Sequence, residues 1–346
     1  MQISAYSTQP AHRPHGFATV DERSRRDEPA GTVAGLAAHL NEFSHAIRTA
    51  GDLEGSQALL RHIRDTQRWY SFTIDESDPD QLAALSRWAE QSNAILVADG
   101  APLDAHGRPL LGGAHGRPMG QVPVSGEARE RSHQVREWLA AEHGLHVAEA
   151  TPPVRSSGEV VVRDAGEVGL RVIALMIASD FSASVIAGRP LEVRGMQAVF
   201  PRGFAALTPV ESELLTRRDP GLATSLEPRV EAAQQLLWAL SRATFGWPSA
   251  PCQVDQIRRI VLSRGEEGFL TDLVLRPVPE LLDEHECLAS LVAAIDDLHS
   301  QGQGVSKDVS ATVAGQRLTA MNWLMNPWLA WEDADRHDRR QQASST

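Results

Sequence analysis

Acidic and polar side chains near the C-terminus have the residue types that acid–base chemistry requires. Asp283 lies on one predicted helix, Arg317 and Asn322 lie on the next, and Asp333 and Asp335 follow in the tail. A carboxylate can move a proton when folding places it beside a suitable partner. Spacing along the chain does not set the distance between carboxylates. Asp333 and Asp335 can also be solvated tail charges, which is the interpretation that we favour.

The same region adds three tryptophans, Trp323, Trp328 and Trp331. Trp323 falls inside a helical pattern, which predicts a core position, whereas Trp328 and Trp331 follow the end of that helix. A tryptophan outside an element packs on its own chain or supplies the apolar anchor of a protein interface. We expect packing on the same chain, and the two stay candidates for binding a partner if they prove exposed.

The sequence has no complete signature of a metal, nucleophile or phosphate site. His285, Glu286 and Cys287 include metal-ligand types, but neighbouring helix positions point in different directions and neither HExxH nor CxxC accompanies them. We therefore interpret His285 as a surface residue and Cys287 as a packed thiol. A GxSxG elbow and a P-loop are also absent from the sequence. The sequence predicts no metal, no cofactor and no catalytic residue.

The formal net charge is -12, from 45 acidic and 33 basic side chains. A surface this negative repels a phosphate backbone and attracts basic proteins, so we expect a protein partner and no nucleic acid. The longest apolar run, Val172 to Ala178, is too short to cross a bilayer, and the first residues lack the pattern of a secretory signal. Only two cysteines occur, which suits a reducing compartment. These features predict a cytoplasmic protein without membrane contact.

Mixed strand and helix patterns over residues 1–150 predict a small α+β domain. Ile3 to Tyr6 and Ala94 to Ala98 have the composition of strands, and the turn after Ala98 predicts a hairpin whose return strand includes Leu110 and Leu111. The segment 10–30 has mixed charges and few apolar residues, which predicts a mobile loop. Helical periodicity covers 36–47, 59–70, 78–89 and 127–143, the last with Val135, Trp138 and Leu139 facing inward.

Residues 151–158 contain two prolines and several small polar residues, which predicts a linker to an all-α domain over 159–335. A helix at 226–245 has apolar groups on two faces, so it should be central in a helical bundle. Another at 280–300 should keep its acidic residues, including Glu284 and Glu286, mostly in water. Further helices are expected at 168–187, 209–216, 254–263 and 308–325, with a capping box at Thr208-Pro209-Val210-Glu211 and a disordered tail at 336–346.

Five short segments occur in a fixed order in the second half: LTPVESELL, EAAQQLLWALS, RPVPELLDEHE, RLTAMNWL and WEDAD. Their order resembles a bacterial family called domain of unknown function 4272. The opening MQISAYST and the later AILVADGAPLDAHGRPLLG are similar to the N-terminal region of its longer members. The resemblance therefore touches nearly the whole chain, and the order of the segments carries it more than any single motif.

The chain departs from the family's pattern at two places. After Asp283 the family usually continues with several polar and aromatic residues, whereas residues 287–294 are here almost entirely apolar. Gly315-Gln316-Arg317 stands where a Glu-Arg-His triplet is expected, with only the arginine in common. If those polar residues form a family site, this member has lost much of it. The residues that survive are Asn322, Trp323, Leu324, Trp331 and Asp333.

Negative charge, missing catalytic signatures and the lost polar cluster predict a non-enzymatic protein that binds another protein. The expected partner is basic, such as a toxin or effector that this chain restrains as an immunity or adaptor protein would. One alternative is an enzyme with a carboxylate and Arg317 in a pocket of the helical domain. Another is a scaffold in which the tryptophan-rich tail holds a homo-oligomer. The candidate binding residues are Asp283, Arg317, Asn322, Trp328, Trp331, Asp333 and Asp335.

Overall fold

A computed structural model describes residues 1–9, 14, 16–24, 35–49, 53–111, 119–149 and 151–334. The chain divides into two compact units. The N-terminal unit consists of Met1–Glu130 and Arg155–Val160, and the C-terminal unit consists of Arg131–Val154 and the chain from Val161 onwards. The α+β fold class is confirmed, since the first unit holds a small antiparallel sheet and the second is helical. Asp335 and the predicted tail at 336–346 lie outside the described residues.

Five strands form the sheet of the N-terminal unit. They are β1 (Gln2–Ser7), β2 (Ala18–Ser24), β3 (Arg68–Thr73), β4 (Ala94–Ala98) and β5 (Ala101–Leu103). Their order is β2-β3-β1-β4-β5, and every neighbouring pair is antiparallel. The central register places Ala5 opposite Tyr70 on one side and Leu96 on the other. The two strands predicted from composition, β1 and β4, are therefore neighbours in the middle of the sheet.

Three helices cover both faces of this sheet: α1 (Leu36–Thr49), α2 (Leu53–Asp65) and α3 (Pro79–Gln91). Successive side chains of a strand point to opposite faces. Ala5 accordingly joins one hydrophobic cluster with Trp88 of α3, while Tyr6 joins another with Leu40 of α1 and Ile63 of α2. Burial on both faces explains why β4 is a continuous apolar run.

Three predictions for the N-terminal unit are wrong in detail. The helix expected over 59–70 ends at Asp65, and Tyr70 lies in β3, where its side chain is buried against Trp88. Within the segment 10–30, expected to be a loop, Ala18–Ser24 forms the edge strand β2, whose charged residues suit an edge and whose Glu22 pairs with Arg68. The return strand is β5, because Asp99 and Gly100 both have positive φ and turn the chain within two residues. Leu110 and Leu111 lie beyond it.

The residue that directly follows the predicted linker, Glu159, contributes a buried carboxylate to the N-terminal unit. Glu159 is 3% exposed, and its oxygens accept hydrogen bonds from Asn93 Nδ2 at 2.7 Å, the Ser156 amide at 2.8 Å and the Thr8 hydroxyl. A buried carboxylate requires such donors to offset its lost hydration. This network ties residues Arg155–Val160 to the ends of β1 and α3.

Among the described residues, eleven helices lie in the C-terminal unit or lead into it. They are α4 (Gly126–His143), α5 (Ala165–Ile186), α6 (Val193–Val199), α7 (Pro201–Ala205), α8 (Pro209–Arg217), α9 (Pro220–Leu226), α10 (Arg229–Ala239), α11 (Val254–Leu262), α12 (Gly265–Leu270), α13 (Val278–Ser300) and α14 (Ala311–Leu324). The first five residues of α4 belong to the N-terminal unit. No strand occurs among the described residues of the C-terminal unit.

Helix α5 lies at the centre of the C-terminal unit and packs against α9 and α10. Asp164 caps its first turn by accepting a hydrogen bond from the Gly166 amide at 2.8 Å. Within the described residues, α5 is the one helix long and apolar enough to cross a membrane, and 72% of its apolar window is buried inside the protein. Its length therefore reflects packing on all sides by other helices.

Helix α10 confirms the predicted central position, but its bounds differ from 226–245. It begins after Pro228 and ends at Ala239, because Ser241 adopts a left-handed φ of 57° and the Arg242 amide bonds back to the Leu237 carbonyl at 2.8 Å. The capping box of α8 is confirmed, with the Thr208 hydroxyl and the Glu211 carboxylate each accepting the other's backbone amide.

Three predictions about exposure are wrong. Glu286 is 1% exposed and accepts hydrogen bonds from the Val154 amide at 2.7 Å and the Ser290 hydroxyl at 2.9 Å. His285 is buried, and Glu284 is half-buried. Trp138, predicted to face inward, is 42% exposed. Helical periodicity places residues on faces but does not show which polar face a neighbouring helix will cover.

Candidate functional site

Asp283 does not lie with the other polar candidates. Its side chain is 68% exposed, and its Oδ1 pairs with Nε of Arg131 at 3.1 Å. The next residue on α13, Glu284, is instead the carboxylate close enough to Arg317 for the two charges to interact. One position along a helix turns a side chain by about 100°, which is enough to separate a surface ion pair from an interior one.

Arg317 lies at the centre of a polar cluster inside the C-terminal unit. Arg317 lies on helix α14, which packs against α10 and α13, and its exposed fraction is 3%. Its guanidinium donates to the Gly246 carbonyl at 2.9 Å and to Gln234 Oε1 at 3.2 Å, and it lies 3.6 Å from Glu231. One face rests 4.4 Å from the centre of the Phe245 ring. We name Arg317, Glu231, Gln234, Gln235 and Glu284 the Arg317 cluster.

The Arg317 cluster contains one carboxyl that exchanges its proton near neutral pH. Burial raises the pKa of Glu284 to about 6, while the positive charge of Arg317 opposes the rise. Burial also lowers the pKa of Arg317, against the attraction of Glu231 and Glu284. Two carboxyls share one arginine, so the cluster holds an excess negative charge when both are ionised. Groups with such shifted pKa values occur at functional sites and in structural networks.

Asn322 is paired with a buried histidine. Its Oδ1 lies 2.9 Å from Nε2 of His285, so the histidine donates to it when Nε2 carries the proton. His285 is 7% exposed, and Asn322 is half-buried. The contact joins α13 to α14 and gives the surviving asparagine of the family pattern a role in positioning these two helices.

The tryptophans of the tail mostly pack on their own chain. Trp331 is 4% exposed and lies against Trp323 with ring centres 5.5 Å apart. Trp328 is half-buried, and its backbone amide donates to Asn326 Oδ1 at 3.2 Å. Asp333 is exposed and takes part in the last helical turn through its amide. Asp335, the last candidate, lies outside the described residues.

A second buried charge cluster joins α5, α8 and α10. Arg171 donates two hydrogen bonds to the Glu211 carboxylate, one of them 2.9 Å long, and Arg229 donates a third. Burial raises the pKa of Glu211, but its two arginines and its hydrogen bonds with Arg171 and Thr208 outweigh burial and bring the pKa below its ordinary value. The Arg171 guanidinium also lies 4.2 Å from the centre of the Trp331 ring.

Sequence reasoning found Glu211 as a capping residue but missed its two arginines. A signal was present, because Arg171 interrupts an otherwise apolar stretch of α5 and a charge in such a place needs a buried partner. The identity of that partner could not be read from the sequence, since Glu211 and Arg229 are distant in the chain. Arg171 and Arg229 bind Glu211 and hold α5, α8 and α10 together.

Both thiols are held in the protonated form by this fold. Burial raises the pKa of Cys252 to about 12, and the nearby Glu231 carboxylate adds to the rise. Burial and the Glu284 and Glu286 carboxylates have the same effect on Cys287, whose pKa is also about 12. A thiol attacks or binds metal as the thiolate, so neither side chain is prepared for nucleophilic work.

Among the residues that the structure describes, no three His, Cys, Asp or Glu side chains gather as metal ligands would. An open cleft is lined by residues from α11 and the position after it, and none of the candidate binding residues lines it. Arg258 in this cleft is paired with Asp180 at 2.7 Å. The cleft lining residues are Asp255, Arg258, Arg259, Leu262 and Ser263.

An exposed aromatic cluster lies near the C-terminal end of α4. His143 stacks on Trp247 with ring centres 3.7 Å apart and planes 2° apart. Trp138 stands nearly perpendicular to both, with its centre 4.9 Å from His143 and 5.5 Å from Trp247. Helical periodicity assigned Trp138 to the inward face of α4 and contained no signal of its exposure. We name Trp138, His143 and Trp247 the aromatic cluster.

A helical domain whose interior contains buried ion pairs, preceded by a small α+β unit with an antiparallel sheet, defines the class of this protein. The family model described as Domain of unknown function (DUF4272) matches residues 131–334, which is more than half of the chain. The chain belongs to this family, and the resemblance noted in the sequence is confirmed. The match begins at the residue where the C-terminal unit begins. No curated protein and no solved structure matches the chain.

Proposed function

We propose that the C-terminal unit is a non-enzymatic protein-binding module that restrains a basic partner, such as a toxin or effector. The aromatic cluster is the observation that carries this proposal. Trp138 is 42% exposed and is the largest apolar side chain so exposed among the described residues. Exposed tryptophans backed by packed neighbours are the typical anchors of protein interfaces.

The internal charges support the same proposal. Arg171, Arg229 and Arg317 are each at most 4% exposed and bind carboxylates or carbonyl oxygens of their own chain. They stabilise a rigid helical scaffold, and a rigid scaffold keeps an interface preorganised and so reduces the entropy lost on binding. These arginines are not available to hold a substrate.

Charge favours a basic partner. Residues 131–334 contain 26 Asp and Glu against 18 Arg and Lys. Such a surface speeds the encounter with a positively charged protein. Two free cysteines suit a reducing compartment, so we place this binding in the cytoplasm.

The test uses the full-length protein as bait in its native host, followed by reconstitution with each captured protein after purification. We expect a basic protein to form a complex of fixed stoichiometry in calorimetry. Its affinity should fall by about tenfold between low and high salt, because screening weakens complementary charges. Failure of every purified basic candidate to bind, or affinity that is independent of salt, would remove the proposal.

One observation favours a second candidate function, an enzyme of the helical domain. Glu284 is half-buried beside Arg317 and has a pKa of about 6, a value suited to general acid–base work at neutral pH. Incubating the protein with a mixture of cellular metabolites tests this idea. Consumption of a metabolite by the wild type, lost in E284Q and retained in the neighbouring D283N, would favour an enzyme over a binding module.

A further inference from the structure

The exposed face of Trp138 is held in a fixed position. Trp247 packs against the hydrophobic cluster that contains Leu139 and Leu145, and His143 covers one of its faces. Trp138 contacts this stacked pair from one side. Since the two stacked rings lie close together in the same direction from Trp138, they can cover only one of its faces. The 42% exposure of Trp138 therefore belongs to a ring that is anchored and still open to a ligand.

A carboxylate without a partner lies one helical turn from that ring. Glu142 follows Trp138 by four positions on α4, so the two side chains lie on the same face of the helix. The Glu142 side chain is exposed and has no hydrogen bond or ion pair with any described residue. Its negative charge is available beside the electron-rich face of the indole.

The cations of the same helix segment are occupied elsewhere. Arg131 pairs with Asp283, and Arg136 donates to the Ala148 and Thr151 carbonyls. Neither arginine lies over Trp138, and no other arginine of the described chain does so. Trp138 and Glu142 therefore offer an open aromatic face and an unpaired carboxylate, and no cation of the described chain is bound to them.

The protein itself shows which group completes such a site. Arg163 lies 4.2 Å from the centre of the Trp323 ring, and Arg276 lies 4.7 Å from that of Trp238. Each of these arginines also binds a carboxylate one helical turn away, Glu167 and Glu280 respectively. A guanidinium that stacks on an indole while pairing with a nearby carboxylate is therefore an arrangement that this chain uses repeatedly.

We propose that Trp138 and Glu142 form a docking site for an arginine side chain presented by a basic protein. The guanidinium stacks on the open face of Trp138 and donates hydrogen bonds to the Glu142 carboxylate. This inference rests on the proposed function and names the chemistry of the contact. Arginine fits better than lysine because its planar group can stack and pair at once. A nucleic acid would also stack on tryptophan, but the acidic surface repels its phosphates.

The test measures binding of a short blocked peptide, Gly-Arg-Gly-Arg-Gly, by the full-length protein. Indole resonances in ¹H–¹⁵N spectra report on each tryptophan, and the W138F variant assigns that of Trp138. We expect the peptide to shift the Trp138 signal. The affinity should fall about tenfold in W138A and about threefold in E142Q, consistent with cation–π and exposed ion-pair contributions. Replacing each arginine of the peptide by citrulline, which keeps the shape and removes the charge, should lower the affinity about tenfold.

The matched control is E149Q, which removes an exposed negative charge outside the site and should leave the affinity unchanged. W138A loses the ring contacts with His143 and Trp247, so its binding is measured well below its own unfolding midpoint, where its far-ultraviolet circular dichroism should equal that of the wild type. Three outcomes would each overturn the site. They are equal peptide binding by the wild type and W138A, no peptide binding at all, and tighter binding of oligothymidine than of the peptide. If the basic partner found by reconstitution binds W138A as well as the wild type, the docking site is wrong while the binding function stands.

Discussion

Arg171 and Glu211 form a bidentate ion pair in the interior of the C-terminal unit, 40 positions apart in the sequence. Glu211 is 0% exposed and Arg171 is 4% exposed. Glu211 also caps α8 and accepts a hydrogen bond from Arg229, so one carboxylate connects three helices. Geometry this complete is what allows two charges to remain buried, since their attraction and hydrogen bonds must offset lost hydration.

Replacing Glu211 by glutamine should strongly destabilise the C-terminal unit. E211Q keeps the shape of the side chain but leaves Arg171 and Arg229 buried without their anion. We expect a loss of about 3–5 kcal/mol in the free energy of unfolding. Urea denaturation at pH 7, followed by tryptophan fluorescence, measures it. E213Q is the matched control, because Glu213 makes an exposed pair with Arg217 and its loss should cost less than about 0.5 kcal/mol. A loss below about 1 kcal/mol in E211Q would contradict this account.

The sequence could predict the local half of this arrangement and not the distant half. Thr208-Pro209-Val210-Glu211 identifies a helix start because capping depends on residues three positions apart. The pairing of Glu211 with Arg171 and Arg229 depends on how helices pack, which no local pattern encodes. The same limit explains why Glu286 and His285 were expected at the surface, although α13 was correctly predicted as a helix.

Stability of the C-terminal unit should respond to the ionisation of Glu284. The folded protein raises its pKa from 4.5 to about 6, so the folded state binds the proton more tightly than the unfolded chain does. The contribution of Glu284 to the free energy of unfolding therefore increases as the pH falls from above 6 towards 4.5. It decreases as the pH rises through the same range. The shift corresponds to at most about 2 kcal/mol.

E284Q should remove that dependence, because an amide does not titrate in this range. We expect the unfolding free energy of E284Q, relative to that of the wild type, to be higher at pH 7.5 than at pH 4.5 by up to about 2 kcal/mol. Urea denaturation of both proteins across this range measures the difference. A difference that does not change with pH would show that Glu284 ionises as it does in the unfolded chain, and one that grows as the pH falls would show that folding lowers its pKa; either result would contradict this account.

The two thiols should resist alkylation in the folded protein. The pKa of Cys252 and of Cys287 rises from 9.0 to about 12, so the thiolate fraction near pH 8 falls by about three orders of magnitude. We expect iodoacetamide to label both cysteines about a thousandfold more slowly than in urea-unfolded protein. Mass spectrometry of peptides containing each cysteine gives the two rates separately. Labelling of either thiol at the unfolded rate would place it in a more open environment than the structure shows.

The N-terminal unit shows where composition succeeds and where it fails. β4 was predicted from its short apolar run, and it is buried because helices cover both faces of the sheet. β2 was missed because its sequence, ATVDERS, is that of a charged edge strand and resembles a loop. Trp138 was misplaced for a related reason, since an exposed tryptophan on a helix has the same periodicity as a buried one.

Gly203 should not tolerate alanine, because α7 packs directly on α5 at this point. A Cβ at position 203 would lie 2.3 Å from Ile173 Cγ2 and 3.2 Å from Ile177 Cδ1. The backbone cannot easily move away, since the Gly203 amide donates to Glu266 at 2.7 Å. We expect G203A to lower the free energy of unfolding by about 1–3 kcal/mol, as overpacking of a core does.

G246A is the control for this substitution, because a Cβ at Gly246 would meet nothing within 4 Å. It should leave stability unchanged or raise it by up to about 1 kcal/mol through the smaller entropy of the unfolded chain. Urea denaturation of both variants gives the comparison. If G203A were as stable as G246A, α7 would have to lie farther from α5 than the structure places it, and the close packing around Ile173 would be wrong.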